Sequence, residues 1–496
     1  MNKYSLGIDI GSSSIKVSLM DIKSGECIAA STNPSIEMPI YAAKTGWAEQ
    51  DPEMWWKYVV KGIEAVSKPK SLMSDVACIG ITYQMHGLVL VDKDYKPLRK
   101  SIIWCDSRAV EIGEKAMKEI GRDVCLDRNL NFPGNFTASK LAWVKENEPE
   151  TYAKIYKVML PGDYIAMKLS QNASTTFSGL SEGILWDFKD EAFSDLVSDT
   201  YGFSRNLFCD TKPSIGIAAK TDKNIEMIYG IPEGTPISYR AGDQPNNAFS
   251  LNVMEAGEIA ATGGTSGVVY GVIDVPNPDK KSRVNTFLHV NHSKSDPHYG
   301  VLLCINGTGI ANSWVKHNIA PNMSYEQMNN VAADIPAGSD GVIILPFGNG
   351  AERVLENKFT GFNISGLDLN RHSKANIIRA VQEGIAFSFR YGIDIMHEMG
   401  LKPKVIRAGK ANMFLSDVFL STLASVCDIK IELYNTDGSL GAARGAALGA
   451  GFYKDRKEAF SSLKLLETIE PDKNIKEVLS KSYDMWKREL LAQLNK

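Results

Sequence analysis

The chain has 496 residues, 44% of them apolar, and a formal net charge of −3. This length predicts two or three domains with large cores, and the absence of basic runs gives no indication of nucleic-acid binding. Apolar runs such as Val342–Leu345 are far shorter than the roughly 18 residues that cross a membrane, and the N-terminus does not resemble a signal peptide.

The seven cysteines are scattered along the chain, and none forms a C-x-x-C pair. Such spacing is typical of reduced, mostly buried thiols. The sequence therefore predicts a cytoplasmic protein.

The first element is a predicted β-hairpin. Apolar residues alternate from Tyr4 to Ile10 and again from Ile15 onwards, on either side of the turn Gly11-Ser12-Ser13-Ser14. Asp9 lies at the end of the first strand, beside a turn rich in backbone N–H groups. Its carboxylate either caps the turn or holds Mg²⁺ through water.

A helix is predicted over Pro52–Ser67, because Asp51 can cap it and Pro52 suits its first turn. The strand Val76–Thr82 follows and stops at the polar sequence Gln84-Met85-His86-Gly87. An isolated histidine is more often structural, but His86 stands with Gln84 at a strand end, where α/β folds place ligand contacts.

The next predicted strand, Ile102–Trp104, leads into Asp106 and Arg108. An aromatic ring followed by these charges suits stacking on and hydrogen bonding to a polyhydroxylated ligand, and the alternative is an exposed ion pair. Further on, the Ser-, Thr- and Gly-rich stretch Ser174–Trp186 is interpreted as a loop that lines a cleft.

Near the middle of the chain, Asp243 follows Gly242 and precedes Pro245, in a stretch interpreted as a sharply turning polar loop. A second hairpin is predicted over Glu258–Val275, with its turn at Gly263–Gly267. Two small-residue hairpins with an acid between them suggest a cleft that holds phosphates and activates a hydroxyl group.

Several patterns in the second half leave alternatives open. His289, His292 and His298 have metal-like content, but no acid or cysteine stands at a suitable spacing, so a zinc site is not predicted. Long helices are predicted over Asn370–Met399 and the tail Glu467–Lys496. The helix containing Gly441, Gly445 and Gly449 has one bare face, which suits either close packing or the approach of a flat ligand.

Strands and helices alternate along the chain, which predicts an α/β protein, and the repeated hairpin predicts two related halves joined near residues 245–255. No G-x-x-x-x-G-K-[ST] sequence is present, and no G-x-G-x-x-G follows a strand. The sequence therefore supports neither a P-loop nor a Rossmann dinucleotide site.

Four motifs together resemble the FGGY family of carbohydrate kinases: Gly7–Ser14, Gly242-Asp243-Gln244, Gly264–Gly267 and Phe136–Trp143. The resemblance implies two actin-like domains of the ribonuclease H-like, hexokinase type around a central cleft that closes on ATP and sugar. It places a sugar-binding domain at residues 1–246, and a nucleotide-binding domain with a terminal helix at residues 247–496.

The resemblance also implies roles for individual residues. Asp243 is the expected general base on the sugar hydroxyl, and Asp9 is expected near Mg²⁺. The expected contacts to ATP are Ser12, Ser13, Gly264, Thr265, Ser266, Gly267, Gly409 and Asn412. The expected contacts to the sugar are Gln84, Met85, His86, Trp104, Asp106 and Gln244.

Gln84-Met85-His86-Gly87 resembles the acceptor motif of the xylulose kinases, so the expected reaction is transfer of the ATP γ-phosphate to the 5-hydroxyl of D-xylulose. A neutral imidazole can bond a hydroxyl group, and a thioether can pack against carbon. In contrast, Gln244 resembles the glycerol kinases, and Arg407-Ala408-Gly409 replaces a family glycine run near the adenine, which leaves the nucleotide preference open.

Two alternatives remain at this point. One is a kinase of the same family for another acceptor, such as L-ribulose, L-fuculose, rhamnulose, gluconate or glycerol. The other, from a different class, is an actin-like protein that binds ATP or sugar without catalysis. The expected partners are small molecules, with no nucleic acid and no membrane, and a homodimer is a possible assembly.

Overall fold

The computed structural model describes residues 3–68 and 70–496. Its contacts divide the chain into two compact units. Unit 1 contains the chain up to Asn252, together with Phe287–Tyr299 and Thr436–Leu463, and unit 2 contains Val253–Thr286, Gly300–Asn435 and Lys464–Lys496. The predicted boundary between residues 246 and 247, and the roles assigned to the two sides, remain predictions.

The helices are numbered in chain order: α1 Pro52–Val66, α2 Val110–Ile120, α3 Arg122–Asn129, α4 Thr137–Asn147, α5 Pro149–Tyr152, α6 Pro161–Ser170, α7 Phe177–Glu182, α8 Asp195–Tyr201, α9 Lys223–Tyr229, α10 Asp243–Ser250, α11 Gly309–Asn318, α12 Tyr325–Ala333, α13 Lys374–Glu398, α14 Asp417–Cys427, α15 Gly438–Gly449, α16 Arg456–Ala459 and α17 Lys473–Leu494.

The strands are numbered in the same way: β1 Tyr4–Ile10, β2 Ile15–Asp21, β3 Cys27–Asn33, β4 Glu49–Gln50, β5 Val76–Tyr83, β6 Val89–Val91, β7 Ser101–Ile102, β8 Lys157–Met159, β9 Ser174–Thr176, β10 Trp186–Asp187, β11 Ala192–Phe193, β12 Asp210–Lys212, β13 Ile215–Lys220, β14 Pro236–Gly242, β15 Glu258–Gly263, β16 Gly267–Ile273, β17 Asn285–Leu288, β18 Tyr299–Ile305, β19 Ile343–Leu345, β20 Asn363–Ser365, β21 Val405–Gly409, β22 Ile431–Tyr434 and β23 Leu465–Ile469.

The main sheet of unit 1 has the strand order β13-β14-β5-β1-β2-β3. Strand β1 is antiparallel to β2 and parallel to β5, which is in turn parallel to β14. Ile10 and Gly242 both pair with Tyr83, so β1, β5 and β14 end at the same edge. Residues that follow these strands therefore share one edge of the sheet, where α/β proteins bind ligands.

The main sheet of unit 2 has the order β17-β18-β16-β15-β21-β22-β23. Its hairpin β15–β16 is antiparallel, β21 and β22 follow in parallel, and β23 closes the edge antiparallel to β22. Unit 1 has the same succession from its hairpin β1–β2 through β5 and β14 to the antiparallel β13. The two sheets thus repeat one topology, as the repeated hairpin predicts.

Both faces of the unit 1 hairpin are buried, whereas the alternation of its sequence predicts one buried face. Helix α1 covers the face with Val17, where Gly62 allows close packing. Helix α15 covers the other face: a β-carbon on Gly7 would lie 1.8 Å from the Ser439 carbonyl oxygen, and one on Gly80 would lie 1.9 Å from that of Ala442. The glycines of β1 and β5 thus let a helix lie directly on the sheet.

The bare face of α15 serves packing. A β-carbon on Gly441 would lie 2.6 Å from Ser250, and one on Gly445 would lie 2.4 Å from the Tyr239 ring. Protein atoms therefore occupy the space that the alternative interpretation leaves for a flat ligand, and that alternative is wrong.

Most predicted elements are confirmed, including both hairpins, α1 and α13. Three loop or helix assignments are wrong. The stretch around Asp243 is the end of β14 followed by α10, Ser174–Trp186 contains β9 and α7, and the tail begins with β23 before α17. Helix α10 was hidden by Pro245 and two asparagines, which disfavour helix interiors but are tolerated in a first turn stabilised by tertiary contacts.

In the described part of the chain, no helix is long and apolar enough to span a membrane. The seven cysteines, all of them described, form no disulfide, and Cys78, Cys125, Cys209 and Cys427 are buried. The described residues do not bring together three metal-ligating side chains. Instead, His292 Nδ1 lies 3.2 Å from the backbone oxygen of His298.

Candidate active site

Asp243 lies at the edge of the unit 1 sheet where β1, β5 and β14 end. Asp243 is the first residue of α10, directly after β14. Burial raises its pKa to about 6, although hydrogen bonds from Gln244 and from backbone groups, including that of Met85, oppose the rise. A carboxylate with this pKa is ionised at neutral pH and still basic enough to accept a proton from a hydroxyl group in a transition state.

Gln244 orients this carboxylate. Its amide nitrogen Nε2 lies 3.3 Å from Asp243 Oδ2, at the long end of hydrogen-bond distance. Its amide oxygen Oε1 is buried and has no hydrogen-bond partner among the described residues. This oxygen is available to accept a bond from a ligand hydroxyl, which is consistent with the predicted role of Gln244.

Asp9, at the end of β1, is part of the same group of acids. Burial raises its pKa to about 7, with further contributions from the negative charges of Asp243 and Asp437, while Lys16 opposes the rise. Asp9 faces Lys16 across the hairpin and lies against Gly438 at the start of α15. The structure thus brings the two predicted acids, Asp9 and Asp243, into electrostatic contact.

Asp437 completes this acid cluster, which we define as Asp9, Asp243 and Asp437. Its Oδ2 accepts a 2.6 Å bond from Lys16 Nζ, and its Oδ1 caps α15 by accepting from Ser439 and Leu440. Burial opposes ionisation, but the bonds from Lys16 and Ser439 prevail and hold its pKa below the usual value. Sequence analysis missed Asp437, although Asp-Gly-Ser before a helix is a recognisable cap.

The acid cluster fits a divalent cation bound indirectly. The carboxyl of Asp9 resists ionisation because it is buried and because the charges of Asp243 and Asp437 repel its own, and Lys16 partly offsets this. The carboxyl of Asp243 resists ionisation because it is buried. Among the described residues, however, no three metal-ligating side chains converge as a direct site requires. Magnesium usually keeps several waters and binds proteins through one or two carboxylates plus substrate phosphates, which this arrangement allows.

Gln84, Met85 and His86 follow β5 at the same edge. Gln84 Nε2 donates to Gln50 Oε1 at 3.1 Å, while Gln84 Oε1 is buried without a partner among the described residues. Met85 packs against Gly242, where a β-carbon would lie 2.5 Å from Met85 Cγ. The loop therefore presents one free acceptor beside Asp243.

His86 has a left-handed backbone conformation, with φ of 62°, which is uncommon outside glycine. Its Nδ1 lies 3.0 Å from the carbonyl oxygen of Glu182, so this nitrogen carries a proton and donates to that oxygen. The rings of Phe136 and Phe287 pack around it, with centroids 4.8 Å and 5.6 Å away. The imidazole is therefore fixed in one orientation.

Trp104 and Asp106 differ in their surroundings. Trp104 is 53% exposed, and its Nε1 lies 3.5 Å from Ser12 Oγ, so the indole and the first turn are neighbours. Asp106 is buried in an ion pair with Arg108 at 2.7 Å and also accepts from the Ala48 backbone. The pair is therefore neither exposed nor free to bind a ligand directly, and a sugar-binding role for Asp106 remains a prediction.

Two further buried charges near these loops escaped sequence analysis. Glu182 ends α7, and its Oε2 would lie 2.6 Å from a β-carbon on Gly242; burial and the charge of Asp243 raise its pKa well above the ordinary value. Lys140, in the first turn of α4, is fully buried. Neither could be assigned from its sequence neighbours, because both are enclosed by segments distant in the chain.

Unit 2 contains a cavity of about 400 Å³. Of the predicted nucleotide contacts, Gly264, Thr265 and Asn412 line it, whereas Ser266, Gly267 and Gly409 are not among its lining residues. Gly409 is the last residue of β21. Roles in nucleotide binding for Ser266, Gly267 and Gly409 in unit 2, and for Ser12 and Ser13 in unit 1, remain predictions.

The first turn of α11 forms one wall of this cavity, and it was missed by sequence analysis. The backbone N–H groups of Gly309 and Ile310 donate to the carbonyl oxygens of Gly264 and Thr265, each at 3.0 Å. Asn312 Oδ1 is buried without a partner among the described residues. The positive end of a helix dipole and an unused acceptor suit a ligand that carries both phosphate and N–H groups.

Residues 4–250 match the model of the N-terminal domain of the FGGY family of carbohydrate kinases, and residues 259–452 match the model of its C-terminal domain. The xylulose kinase of Bacillus subtilis (strain 168) is 30% identical over 466 residues, which cover 92% of this chain and 90% of that protein.

Two solved structures from Lactobacillus acidophilus share the fold. A ligand-bound xylulose kinase has a TM-score of 0.89 at 22% identity, with 99% of this chain and 98% of that chain covered. A gluconate kinase has a TM-score of 0.90 at 22% identity, with coverages of 100% and 99%. These similarities confirm the predicted α/β class with two actin-like domains, but they do not distinguish between sugars.

Proposed function

Since the chain belongs to the FGGY family of carbohydrate kinases and is a phosphotransferase with a sugar acceptor, we propose that it transfers the γ-phosphate of ATP to the 5-hydroxyl of D-xylulose. The observation that carries the mechanism is the position of Asp243, with its raised pKa, at the edge of the sheet beside the Gln84–His86 loop. The products are D-xylulose 5-phosphate and ADP.

In this proposal Asp243 is the general base. Its carboxylate accepts the proton of the attacking hydroxyl while the new bond to phosphorus forms and the bond to the β-phosphate oxygen breaks. Phosphoryl transfer depends mainly on alignment and charge neutralisation, so a base held in one orientation by Gln244 and by backbone N–H groups is sufficient.

The sugar contacts proposed in unit 1 are Gln84, Met85, His86, Trp104 and Gln244. The unused amide oxygens of Gln84 and Gln244 support this assignment, because each accepts a bond from a ligand hydroxyl at no cost to an existing bond. A sugar that lacks one of these hydroxyls leaves a buried acceptor unpaired, which favours sharp discrimination.

The unit 2 cavity is the proposed nucleotide site, lined by Gly264, Thr265 and Asn412. The helix dipole of α11 favours phosphate there. Asp9 and Asp243 would hold magnesium through water, and a bound Mg²⁺ supplies charge neutralisation of the phosphates during transfer. Lys16 then holds Asp437 in place and moderates the negative potential of the acid cluster.

The choice of D-xylulose is supported by two observations. Gln84-Met85-His86 resembles the acceptor motif of xylulose kinases, and the relative from Bacillus subtilis is named a xylulose kinase. We also propose that the protein acts in the cytoplasm, because its cysteines are unpaired and the reaction uses ATP.

Sugar-dependent ADP release tests the proposal. The expected result is a higher kcat/KM for D-xylulose than for L-ribulose, L-fuculose, gluconate or glycerol. A higher value for another of these acceptors would reassign the substrate within the family. ADP release that no sugar stimulates would instead support a binding protein without kinase activity.

A further inference from the structure

Lys140 is a fully buried lysine in the first turn of α4. Its Nζ donates to the carbonyl oxygen of His86 at 2.8 Å and to that of Ile103 at 3.0 Å. Among the described residues no carboxylate forms an ion pair with it. The ammonium group is therefore held by two backbone carbonyls alone.

These two carbonyls belong to the two proposed sugar-binding loops. His86 lies in the loop after β5, and Ile103 directly precedes Trp104 in the loop after β7. The loops are also close on another side, where the backbone of Leu88 donates to Ile102. The buried side chain of Lys140 is thus hydrogen-bonded to both loops: the one that carries Gln84, Met85 and His86, and the one that carries Trp104.

The surroundings of Lys140 do not favour its charge. Burial lowers its pKa to about 7, although Asp106 and Cys105 oppose the change and Arg108 reinforces it. Asp106 is already paired with Arg108 at 2.7 Å, so it is not available as a counter-ion for Lys140. Burying an ammonium group without a paired carboxylate costs stability. Local departures of this kind from the most stable arrangement are expected mainly at functional sites.

We infer that Lys140 is a positioning residue, which fixes the two loops relative to each other so that their side chains meet the sugar together. This inference rests on the proposed function in so far as the loops bind the acceptor. Lys140 itself is not assigned a contact with the sugar or with the reacting atoms.

Lys145 provides a matched control on the same helix. Its Nζ also donates to two carbonyl oxygens, those of Tyr201 at 2.7 Å and Gly202 at 2.6 Å, at the end of α8. Lys145 therefore makes the same two hydrogen bonds to backbone carbonyls, but to a segment outside the proposed site. Lys140→Met and Lys145→Met remove the same ammonium group from the same helix with similar side-chain length.

The experiment compares the two variants in kinetics, thermal unfolding and amide hydrogen exchange of the full chain. We expect Lys140→Met to raise the KM for the sugar at least about tenfold, since two charge-assisted bonds are lost, with the KM for ATP unchanged. Exchange should accelerate in residues 84–88 and 103–108, while the melting temperature changes by no more than it does in Lys145→Met. Lys145→Met should leave the KM for the sugar and the exchange of both segments unchanged.

A sugar KM within twofold of the wild type in folded Lys140→Met, or equal increases in the KM values for sugar and ATP, would overturn the inference. Unchanged exchange in both segments would also overturn it. If the wild-type protein phosphorylates no sugar, the proposed function fails. Hydrogen exchange still tests whether Lys140 holds the two loops in place. Should Lys140→Met not fold, Lys140→Gln, which keeps an N–H donor without the charge, is subjected to the same measurements.

Discussion

The carboxylate of Asp9 lies against the α-carbon of Gly438: a β-carbon on this glycine would come within 2.3 Å of Asp9 Oδ2. A side chain of any size at position 438 would therefore displace the carboxylate or the start of α15. The contact joins the first strand of the chain to a helix near its end, and it sets the position of one member of the acid cluster.

Gly438→Ala should therefore impair catalysis through Asp9. We expect roughly a tenfold or greater loss of kcat and a higher Mg²⁺ concentration at half-maximal activity, because displacement of an active-site group by about 1 Å is costly. The measurement is a Mg²⁺ titration of the wild type, Gly438→Ala, Asp9→Ala and the double variant. If the glycine acts through Asp9, the double variant is no worse than Asp9→Ala. If the losses of kcat in the two single variants add fully in the double variant, Gly438 acts independently of Asp9. A normal Mg²⁺ titration of Asp9→Ala would show that Asp9 serves only the turn.

Asp243→Asn keeps the shape of the side chain but removes the base. We expect kcat to fall at least about a hundredfold, with sugar binding preserved, because general-base catalysis typically contributes this much. Steady-state kinetics and calorimetric sugar binding measure the two effects. Asp195→Asn is the control, since Asp195 is also the first residue of a helix but is exposed at the start of α8. Near-normal turnover by folded Asp243→Asn would remove Asp243 from the mechanism.

The raised pKa values predict how activity depends on pH. The carboxyls of Asp9 and Asp243 have pKa values of about 7 and about 6 in the folded protein, both above the ordinary 3.8. As pH falls through this range, Asp243 takes up a proton and can no longer act as a base. We therefore expect kcat/KM for the sugar to decrease on the acid side with an apparent pKa near 6, and a profile without this acid limb would contradict the assignment.

The same shifts predict an effect on stability. A carboxyl whose pKa is higher in the folded than in the unfolded state lowers stability above its folded pKa, and this penalty disappears as pH falls towards the unfolded value. Asp243→Asn removes the penalty. Its melting temperature should therefore exceed that of the wild type by more at about pH 8 than at about pH 5. Equal differences at both pH values would indicate that the carboxyl is not destabilising when ionised.

The wall of the unit 2 cavity offers a test of nucleotide binding. A β-carbon on Gly309 would lie 2.2 Å from the carbonyl oxygen of Gly264, so Gly309→Ala should push the 264–265 turn away from the start of α11. We expect the KM for ATP to rise about tenfold or more, with the KM for the sugar nearly unchanged. A selective increase in the sugar KM would place the nucleotide elsewhere.

Local patterns in the sequence predict much of the fold. The two hairpins follow from strict alternation around small-residue turns, and α1 follows from its Asp51 cap and its apolar spacing. Helix α10 was not predicted, because its Pro245 and asparagines have low helix propensity and tertiary contacts outweigh them. Both faces of the β1–β2 hairpin are buried because of a helix nearly the whole chain away, and alternation within a hairpin carries no information about such a partner.

The candidate site was predictable only in part. Asp9 stands at the end of a predicted strand and Asp243 in the Gly242-Asp243-Gln244 motif, so both acids are visible in the sequence, although strand β14 before Asp243 was not predicted. The proximity of Asp437 to Asp9, and the enclosure of Lys140 by His86 and Ile103, arise from segments that meet only in the folded chain. The Asp106–Arg108 ion pair is a further example. The sequence suggests an exposed pair, but residues distant in the chain bury it.

The most direct test of the central claim is identification of the product by ³¹P NMR, with ATP and D-xylulose labelled with ¹³C at carbon 5 as substrates. The account predicts a new phosphomonoester signal that is coupled to the labelled carbon and that Asp243→Asn forms far more slowly. A phosphomonoester without coupling to carbon 5, or inorganic phosphate as the only new signal besides those of ADP, would contradict it.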